Sequence, residues 1–201
     1  ALDDTAAGYP MGETAENLAK RYNILRSEVD EYAKTSCDRA LAAKEGGFFA
    51  GEITPLNSTV FEIEGLKPRK VKLPRGVKDF NTDENVRSTS LESLQKLPSA
   101  FIKDGIHSAG NSSGIVDGAA AAVVGSKSFI NSKSLKPIAK IICAAACGVD
   151  LGDRRIIKKT TIKIILEMTG LNLDDIGLFE INEAFGAQYV ACEKELNLDR
   201  N

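Results

Sequence analysis

The amide side chain of Asn182 lies at a predicted junction between a strand and a helix, a position where a side chain could take part in chemistry. A short apolar run (Leu178, Phe179 and Ile181, interrupted by Glu180) precedes it, and a helix-compatible run follows it as far as Gln188. In open α/β folds a residue at the end of such a strand faces the sheet edge where ligands bind, so the amide could have a functional role. Asn is also a preferred helix N-cap, and Glu183 suits the positive end of a helix dipole. The pattern alone favours the cap and leaves the functional amide open.

A second stretch, Ser108–Val124, is dense in Gly, Ala and Ser. Small residues let main chains approach each other or a ligand closely, and a Gly/Ser loop can offer its N–H groups to an anion. The stretch contains neither GxxxxGK[ST] nor GxGxxG, the patterns that cradle nucleotide phosphates. A tightly packed core is therefore the favoured interpretation, with anion binding as the alternative.

The four cysteines, at positions 37, 143, 147 and 192, form no CxxC pair, and the chain has one histidine. Such a set does not have the spacing of a Cys/His zinc site, so we predict no metal. Cys143 and Cys147 lie in an Ala-rich apolar run, where buried free thiols are common, and this usage indicates a reducing compartment. His107 is predicted to be structural or on the surface.

The net charge of −2 gives the chain no overall attraction to nucleic acid or to an anionic membrane. No apolar run approaches the roughly 20 residues of a membrane-spanning helix. Six basic residues nevertheless lie between Lys67 and Lys78. They could meet phosphates, but without interleaved aromatic residues the run favours a solvated hairpin or loop.

Two helices are predicted near the start of the chain. The first covers Thr14–Tyr22, and the second follows Ser27–Asp30, which has the form of a capping box with Asp in place of Glu. Gly46 and Gly47 end the second helix. Short strands are expected at 52–56 and 59–63, and a short helix at 91–97.

Later segments alternate between strand and helix patterns. The Ala-rich run at 137–147 predicts a buried strand, 160–168 a helix, and 178–181 a second strand. Strand, helix, strand and helix in this order predict a βαβ unit with a parallel pair of strands. The predicted fold class is therefore α/β, with βαβ units in a parallel or mixed sheet, preceded by a mainly helical, irregular loop domain.

Four stretches of the sequence carry the motifs of one known family. Met11–Asn17 is similar to MGxTAEN and Leu94–Gly105 to the KLxPxF-KDG segment. Ser108–Ala120 is similar to TAGNASGxxDGAAA, and Glu180–Phe185 to ENEAFA-type motifs. Each motif is modest, but they follow the family order over nearly all 201 residues. Together the motifs resemble the thiolase family. They are more similar to mitochondrial-type 3-ketoacyl-CoA thiolases than to the sterol-carrier type.

The resemblance implies thiolytic cleavage of 3-ketoacyl-CoA to acetyl-CoA and a shortened acyl-CoA, or the reverse Claisen condensation, through an acyl thioester on a cysteine. Coenzyme A is then a substrate and no cofactor is bound. Asn182 matches the amide that positions a water in an oxyanion hole. The residues that match contacts to CoA or to its pantetheine and acyl channel are Ser113, Ala109, Gly110, Met11, Phe101, Phe185 and Arg87, of which Arg87 is one position out of register.

The departures from the family pattern concern the reacting groups. No residue here matches the family's nucleophilic cysteine, its GHP histidine or its later CxGGGxG cysteine, so the chain is expected to be an internal fragment that is inactive alone. Arg154 stands where the family's MGxGPxxA run has Met, and a cation facing an apolar acyl pocket is costly unless it is paired. A non-catalytic CoA-binding or decayed thiolase-like subunit is therefore the alternative function.

The expected division is an incomplete loop domain at 1–106, the end of the N-terminal thiolase half at 107–132, and the start of the C-terminal half at 133–201. The expected partners are CoA and acyl-CoA, with a homo-oligomer (dimer or tetramer) for the full-length protein, and neither nucleic acid nor a membrane span. The expected location is the mitochondrial matrix in a eukaryote and the cytoplasm otherwise. The apolar faces at Val123–Val124 and Ile141–Ile142 are expected to lack partners, which predicts poor solubility of the isolated chain.

Overall fold

The structure is a computed structural model that describes residues 3–4, 8–70, 72–148 and 157–200. Two antiparallel dipeptide strands, β1 (Asp3–Asp4) and β2 (Tyr9–Pro10), lead directly into the first helix. That helix, α1, covers Met11–Arg21, and it carries Glu13 in its first turn and Lys20 and Arg21 in its last, as the helix dipole favours. The predicted helix at 14–22 is confirmed, with an earlier start.

The longest helix, α2, covers Arg26–Glu45 and ends at the Gly46–Gly47 pair. The prediction that Ser27 is its N-cap residue is wrong. The N-cap residue is Leu25, whose main-chain N–H donates to Glu28 Oε2 at 2.7 Å. Because the Glu28 carboxylate satisfies this exposed N–H from inside the first turn, the helix starts without a capping hydroxyl.

The helix α6 (Gly186–Leu196) packs against both α1 and α2, and the main hydrophobic core lies between these three helices. A Cβ atom at Gly186 would lie 2.5 Å from Val29 Cγ1, so the glycine sets how closely α6 approaches α2. The buried residues of this core are Ala19, Ile24, Val29, Tyr32, Ile181, Ala187, Val190, Ala191 and Cys192.

The region between α2 and the next helix contains a 3-10 turn at Phe48–Gly51 and four dipeptide strands. β3 (Leu56–Asn57) pairs with β6 (Asp79–Phe80), and β4 (Val60–Phe61) pairs with β5 (Arg69–Lys70), both antiparallel. The strand predicted at 59–63 is present but shorter, whereas the one predicted at 52–56 overlaps β3 only at Leu56, so its position is wrong. The six basic side chains of this region are exposed, as the solvated alternative predicts.

The remaining helices are α3 (Leu91–Gln95), α4 (Lys127–Ser132) and α5 (Ile157–Thr169), with a 3-10 turn at Leu173–Asp175. Ser90 and Ser126 cap α3 and α4 by accepting main-chain N–H groups of Ser93 and Phe129. The predictions of α3 and α5 are confirmed. Within the described ranges no helix is long and apolar enough to cross a membrane.

The predicted parallel pair of strands is not formed. The structure describes both segments, 137–147 and 178–181, and neither is a helix or a paired strand; the pairs of strands among the described residues are antiparallel. Parallel strands require hydrogen-bonded neighbours and cover on both faces. Here Ile138, Ile141 and Leu178 are exposed, so these faces have no cover.

The Ala-rich segment lies along α5. Cys143 Sγ is 3.8 Å from Met168 Sδ, and Cys147 Sγ is 3.1 Å from Thr161 Oγ1. Both thiols are half-buried, so the prediction that they are buried is wrong, because the same uncovered face leaves them near solvent. Arg154 lies outside the described residues, and its effect on an acyl pocket stays a prediction.

Candidate active site

A buried carboxylate on α1 anchors the loop at 105–114, which we call the Ser113 loop. Glu16 is 2% exposed, and its Oε2 and Oε1 accept the main-chain N–H groups of Ile106 and His107, each at 3.0 Å. A Cβ atom at Gly105 would lie 2.4 Å from Glu16 Oε1, so the carboxylate sits directly against the loop's main chain. Two hydrogen bonds to a charged acceptor make this a strong local attachment.

A buried amide anchors the same loop to α2. Asn111 Nδ2 donates to Asp30 Oδ1 at 2.7 Å and to the Ile106 carbonyl at 3.1 Å, while its Oδ1 accepts the Ser108 N–H at 2.8 Å. Asp30 is fully buried, and its Oδ2 accepts from Arg26 Nε at 2.7 Å. The side chain of Asn111 thus has a partner for both donors and for its acceptor, which fixes the loop's conformation.

The Ser113 loop is joined to the segment that contains Asn182. Ser113 N–H donates to the Ala184 carbonyl and Gly186 N–H donates to the Asn111 carbonyl, both at 3.0 Å. Ser112 and Phe185 form an isolated antiparallel bridge. Two of the four motif stretches, distant in sequence, are therefore neighbours along their main chains.

Three rings form an aromatic cluster at this junction: Phe101, His107 and Phe185. Their centroids are 5.5 Å apart for Phe101 and Phe185, 5.7 Å for His107 and Phe185, and 6.4 Å for Phe101 and His107, all edge-to-face. A Cβ atom at Gly12 would lie 2.2 Å from Phe101 Cγ, so the Phe101 ring rests on the first turn of α1. Met11, beside Gly12, is partly exposed at the rim.

His107 belongs to the interior of this cluster. It is fully buried, so the surface alternative is wrong and the structural one fits. Its Nδ1 lies 3.2 Å from Glu16 Oε1, a contact that favours the charged imidazole. Burial lowers the pKa of the imidazole below its usual 6.5, against the attraction of Glu16, so the ring is neutral at neutral pH.

The cap interpretation of Asn182 is wrong. Helix α6 begins at Gly186 with Phe185 as its N-cap residue, and Asn182 lies before it, exposed, in a stretch without regular secondary structure. The chain stays extended through Phe185 because this residue pairs with Ser112 before the helix starts. The functional amide is the alternative that stays a prediction.

The other predicted residues differ in their surroundings. Ala109 is exposed, whereas a Cβ atom at Gly110 would lie 2.5 Å from Leu94 Cδ2, so the loop packs closely on α3 there. Arg87 is exposed, and its Nε donates to the Glu84 carbonyl at 3.4 Å. Ser113 is exposed with its Oγ near the Gly114 carbonyl.

Sequence reasoning missed Glu16, Arg26 and Asn111 and gave Asp30 the role of a capping residue. The available signal was a carboxylate on an apolar helix face: Glu16 lies next to Ala15 and one turn before Ala19, and Asp30 follows Val29. Among the described residues, no group of His, Cys, Asp and Glu side chains is arranged to hold a metal ion.

Family models match both parts of the chain. The model described as thiolase, N-terminal domain, matches residues 1–128, and that described as thiolase, C-terminal domain, matches residues 135–201. The chain belongs to the thiolase family. The finer boundaries expected at 106/107 and 132/133 stay predictions.

Similar full-length proteins support the same family. The chain is 39% identical to mitochondrial 3-ketoacyl-CoA thiolase of Mus musculus over 98% of its own length and 47% of the relative's, and 40% identical to acetyl-CoA acetyltransferase of Pseudomonas aeruginosa over 98% and 48%. The crystal structure of human mitochondrial 3-ketoacyl-CoA thiolase aligns with a TM-score of 0.87 at 38% identity, covering 98% of this chain and 47% of that one. The fold is therefore the α/β thiolase fold, and the chain spans about half the length of these relatives.

Proposed function

We propose that the protein is an acyltransferase of the thiolase type, which cleaves 3-ketoacyl-CoA with CoA to give acetyl-CoA and a shortened acyl-CoA, or runs the reverse condensation. The observation that carries this proposal is the junction of the Ser113 loop with Phe185. Phe101 and Phe185 are in ring contact there, the Ser113 N–H donates to the Ala184 carbonyl, and Phe101 rests on Gly12 next to Met11, which supports a shared site beside the Asn182 segment.

The chemistry expected of such a site has two steps. A cysteine thiolate, for which the resemblance implies a position outside this chain, attacks the 3-keto carbonyl. The bond between the α and β carbons breaks, acetyl-CoA leaves after its carbanion takes up a proton, and the shortened acyl group remains as a thioester. The thiol of CoA then gives up its proton and takes the acyl group.

The residues of this chain have binding and electrostatic roles in that scheme. Asn182 holds the water that donates to the developing oxyanion. Ser113, Ala109 and Gly110 contact CoA, and Met11, Phe101 and Phe185 line the channel of its pantetheine arm and the acyl group. Arg87 serves the adenine end of CoA.

A non-catalytic CoA-binding subunit is the second candidate, because two arginines, Arg154 and Arg155, replace an apolar stretch of the family pattern. Titration of the full-length protein with CoA, together with a thiolysis assay on acetoacetyl-CoA, separates the candidates. Turnover supports the acyltransferase, and CoA binding without turnover supports the non-catalytic subunit. A protein that neither binds CoA nor turns over acetoacetyl-CoA contradicts both candidates.

Assembly and location are proposed from similarity alone. A homo-oligomer of the full-length protein follows from the resemblance, and light scattering of that protein tests it. The relatives named above include a mitochondrial and a bacterial protein, so the cellular location stays a prediction.

A further inference from the structure

The aromatic cluster contains a buried titratable side chain for which the proposed acyl transfer has no use. The His107 ring lies edge-to-face with both Phe101 and Phe185, which also contact each other. Each of the three rings therefore limits the movement of the other two. The two phenylalanine rings could not keep this arrangement if the imidazole between them and Glu16 were removed, because the void would let them move inward.

The main chain of His107 is fixed on both sides. Its N–H donates to Glu16 Oε1 at 3.0 Å, and its carbonyl accepts the N–H of Ala100, next to Phe101, at 2.9 Å. Ser99 Oγ adds a hydrogen bond of 2.6 Å to the Gly105 carbonyl. The segment that carries Phe101 is thus hydrogen-bonded to the segment that carries His107. These bonds fix the main chain at His107 and therefore the position from which the imidazole contacts the two rings.

We propose that His107 is a positioning residue, which holds Phe101 and Phe185 as the walls of the pantetheine and acyl channel and so sets the affinity for acyl-CoA without taking part in acyl transfer. This inference rests on the function proposed above. The charged groups that face His107 are Glu16 from α1 and, further away, Arg26 from α2. The low pKa that burial gives the imidazole keeps an uncharged ring against the two phenylalanine rings.

The test uses the full-length protein and its acyl-CoA thiolysis kinetics. His107→Ala removes the ring and should raise KM for 3-ketoacyl-CoA about tenfold, with kcat within about twofold of wild type, because uniform binding is lost and transition-state stabilisation is not. His107→Phe returns a ring to the site and should recover most of the affinity. Leu196→Ala is the matched control: Leu196 is buried at the far end of α6, about 15 Å along the helix from Gly186, so it should lower Tm and leave KM unchanged.

The outcomes separate this inference from the proposed function. Absence of thiolysis by the wild type overturns both. An active wild type, with KM of His107→Ala within twofold or with Leu196→Ala raising KM equally, overturns the positioning role alone. If His107→Ala does not fold, His107→Leu, which nearly keeps the side-chain volume, must show the rise in KM. If neither variant folds, the role of His107 is purely structural and the proposal is overturned.

Discussion

Asp30 and Asn111 share a buried hydrogen bond of 2.7 Å although 81 residues separate them in sequence. Asp30 comes from the second turn of α2, and Asn111 from the loop that carries Ser113. The same carboxylate accepts from Arg26, whose Nη2 donates to the carbonyls of Leu94 and Leu97. The paired charges of Asp30 and Arg26 therefore connect α2, the Ser113 loop and the C-terminal end of α3.

Asp30→Asn tests this connection. Asparagine offers one acceptor where aspartate offers two, so either Arg26 or Asn111 loses its partner inside the protein. We expect the free energy of unfolding to fall by about 2–3 kcal/mol, less than for a wholly buried ion pair because Arg26 is partly exposed. The measurement is urea unfolding of the full-length protein. Glu92→Gln, which breaks the exposed pair with Lys96, is the control and should leave the midpoint unchanged. Equal effects of the two variants would contradict the connecting role.

Gly186→Ala tests the approach of α6 to α2. The added methyl group would lie 2.5 Å from Val29 Cγ1 and 3.2 Å from the Asn111 carbonyl, so α6 must move away from the Ser113 loop. Overpacking of this kind costs about 1–3 kcal/mol of stability, and the moved Phe185 should also weaken CoA binding. Gly51→Ala is the control, because nothing lies within 4 Å of a Cβ atom there. A Gly186→Ala protein with wild-type Tm and wild-type affinity for CoA would refute the close packing.

Local signals in the sequence were sufficient for most helices. The sequence places α1, α2 and α5 to within a few residues, and a glycine follows the end of α2 and of α5. The cap at Asn182 was wrong because a tertiary contact, the bridge between Ser112 and Phe185, keeps the chain extended beyond the point where local preference would start the helix.

The site itself could be predicted only through the family resemblance. The motifs named Ser113, Phe101 and Phe185, but the groups that hold them, Glu16 and Asp30, have partners 90 and 81 residues away, which no local pattern indicates. The prediction of parallel strands was wrong for a related reason. An apolar run forms a buried strand only if a neighbouring strand and covering helices are present.

The acid side of the stability profile should depend on His107. Burial lowers the pKa of its imidazole below 6.5 in the folded protein. Below pH 6.5 the imidazole of the unfolded chain therefore binds a proton more readily than that of the folded protein. The stability of the fold consequently falls as the pH falls. Between about pH 7.5 and pH 5.5, we expect Tm of the wild type to fall further than Tm of His107→Gln. Carboxylates such as Glu28, whose pKa is held low by its hydrogen bond to Lys194, lose their contribution at lower pH in both proteins and cancel in the comparison. Parallel profiles of the two proteins would show that His107 stays uncoupled from folding.

The 201-residue chain expressed alone should self-associate. Its extended segments present apolar side chains without cover: Val123 is 99% exposed and Leu178 86%, with Ile141 exposed between them in sequence. Unpaired extended segments also present main-chain N–H and carbonyl groups to other copies, which adds directional bonding to the apolar attraction.

Charge on these segments should suppress the association, because a lysine side chain costs free energy when it is buried between copies. The double variant Val123→Lys with Ile141→Lys should shift the chain toward monomer in size-exclusion chromatography with light scattering. Leu66→Lys, at an exposed apolar residue of the hairpin region, is the control and should leave the distribution as it is. A monodisperse wild-type chain that unfolds cooperatively would contradict the argument. So would equal effects of the control and the double variant, because association would then follow net charge instead of these particular faces.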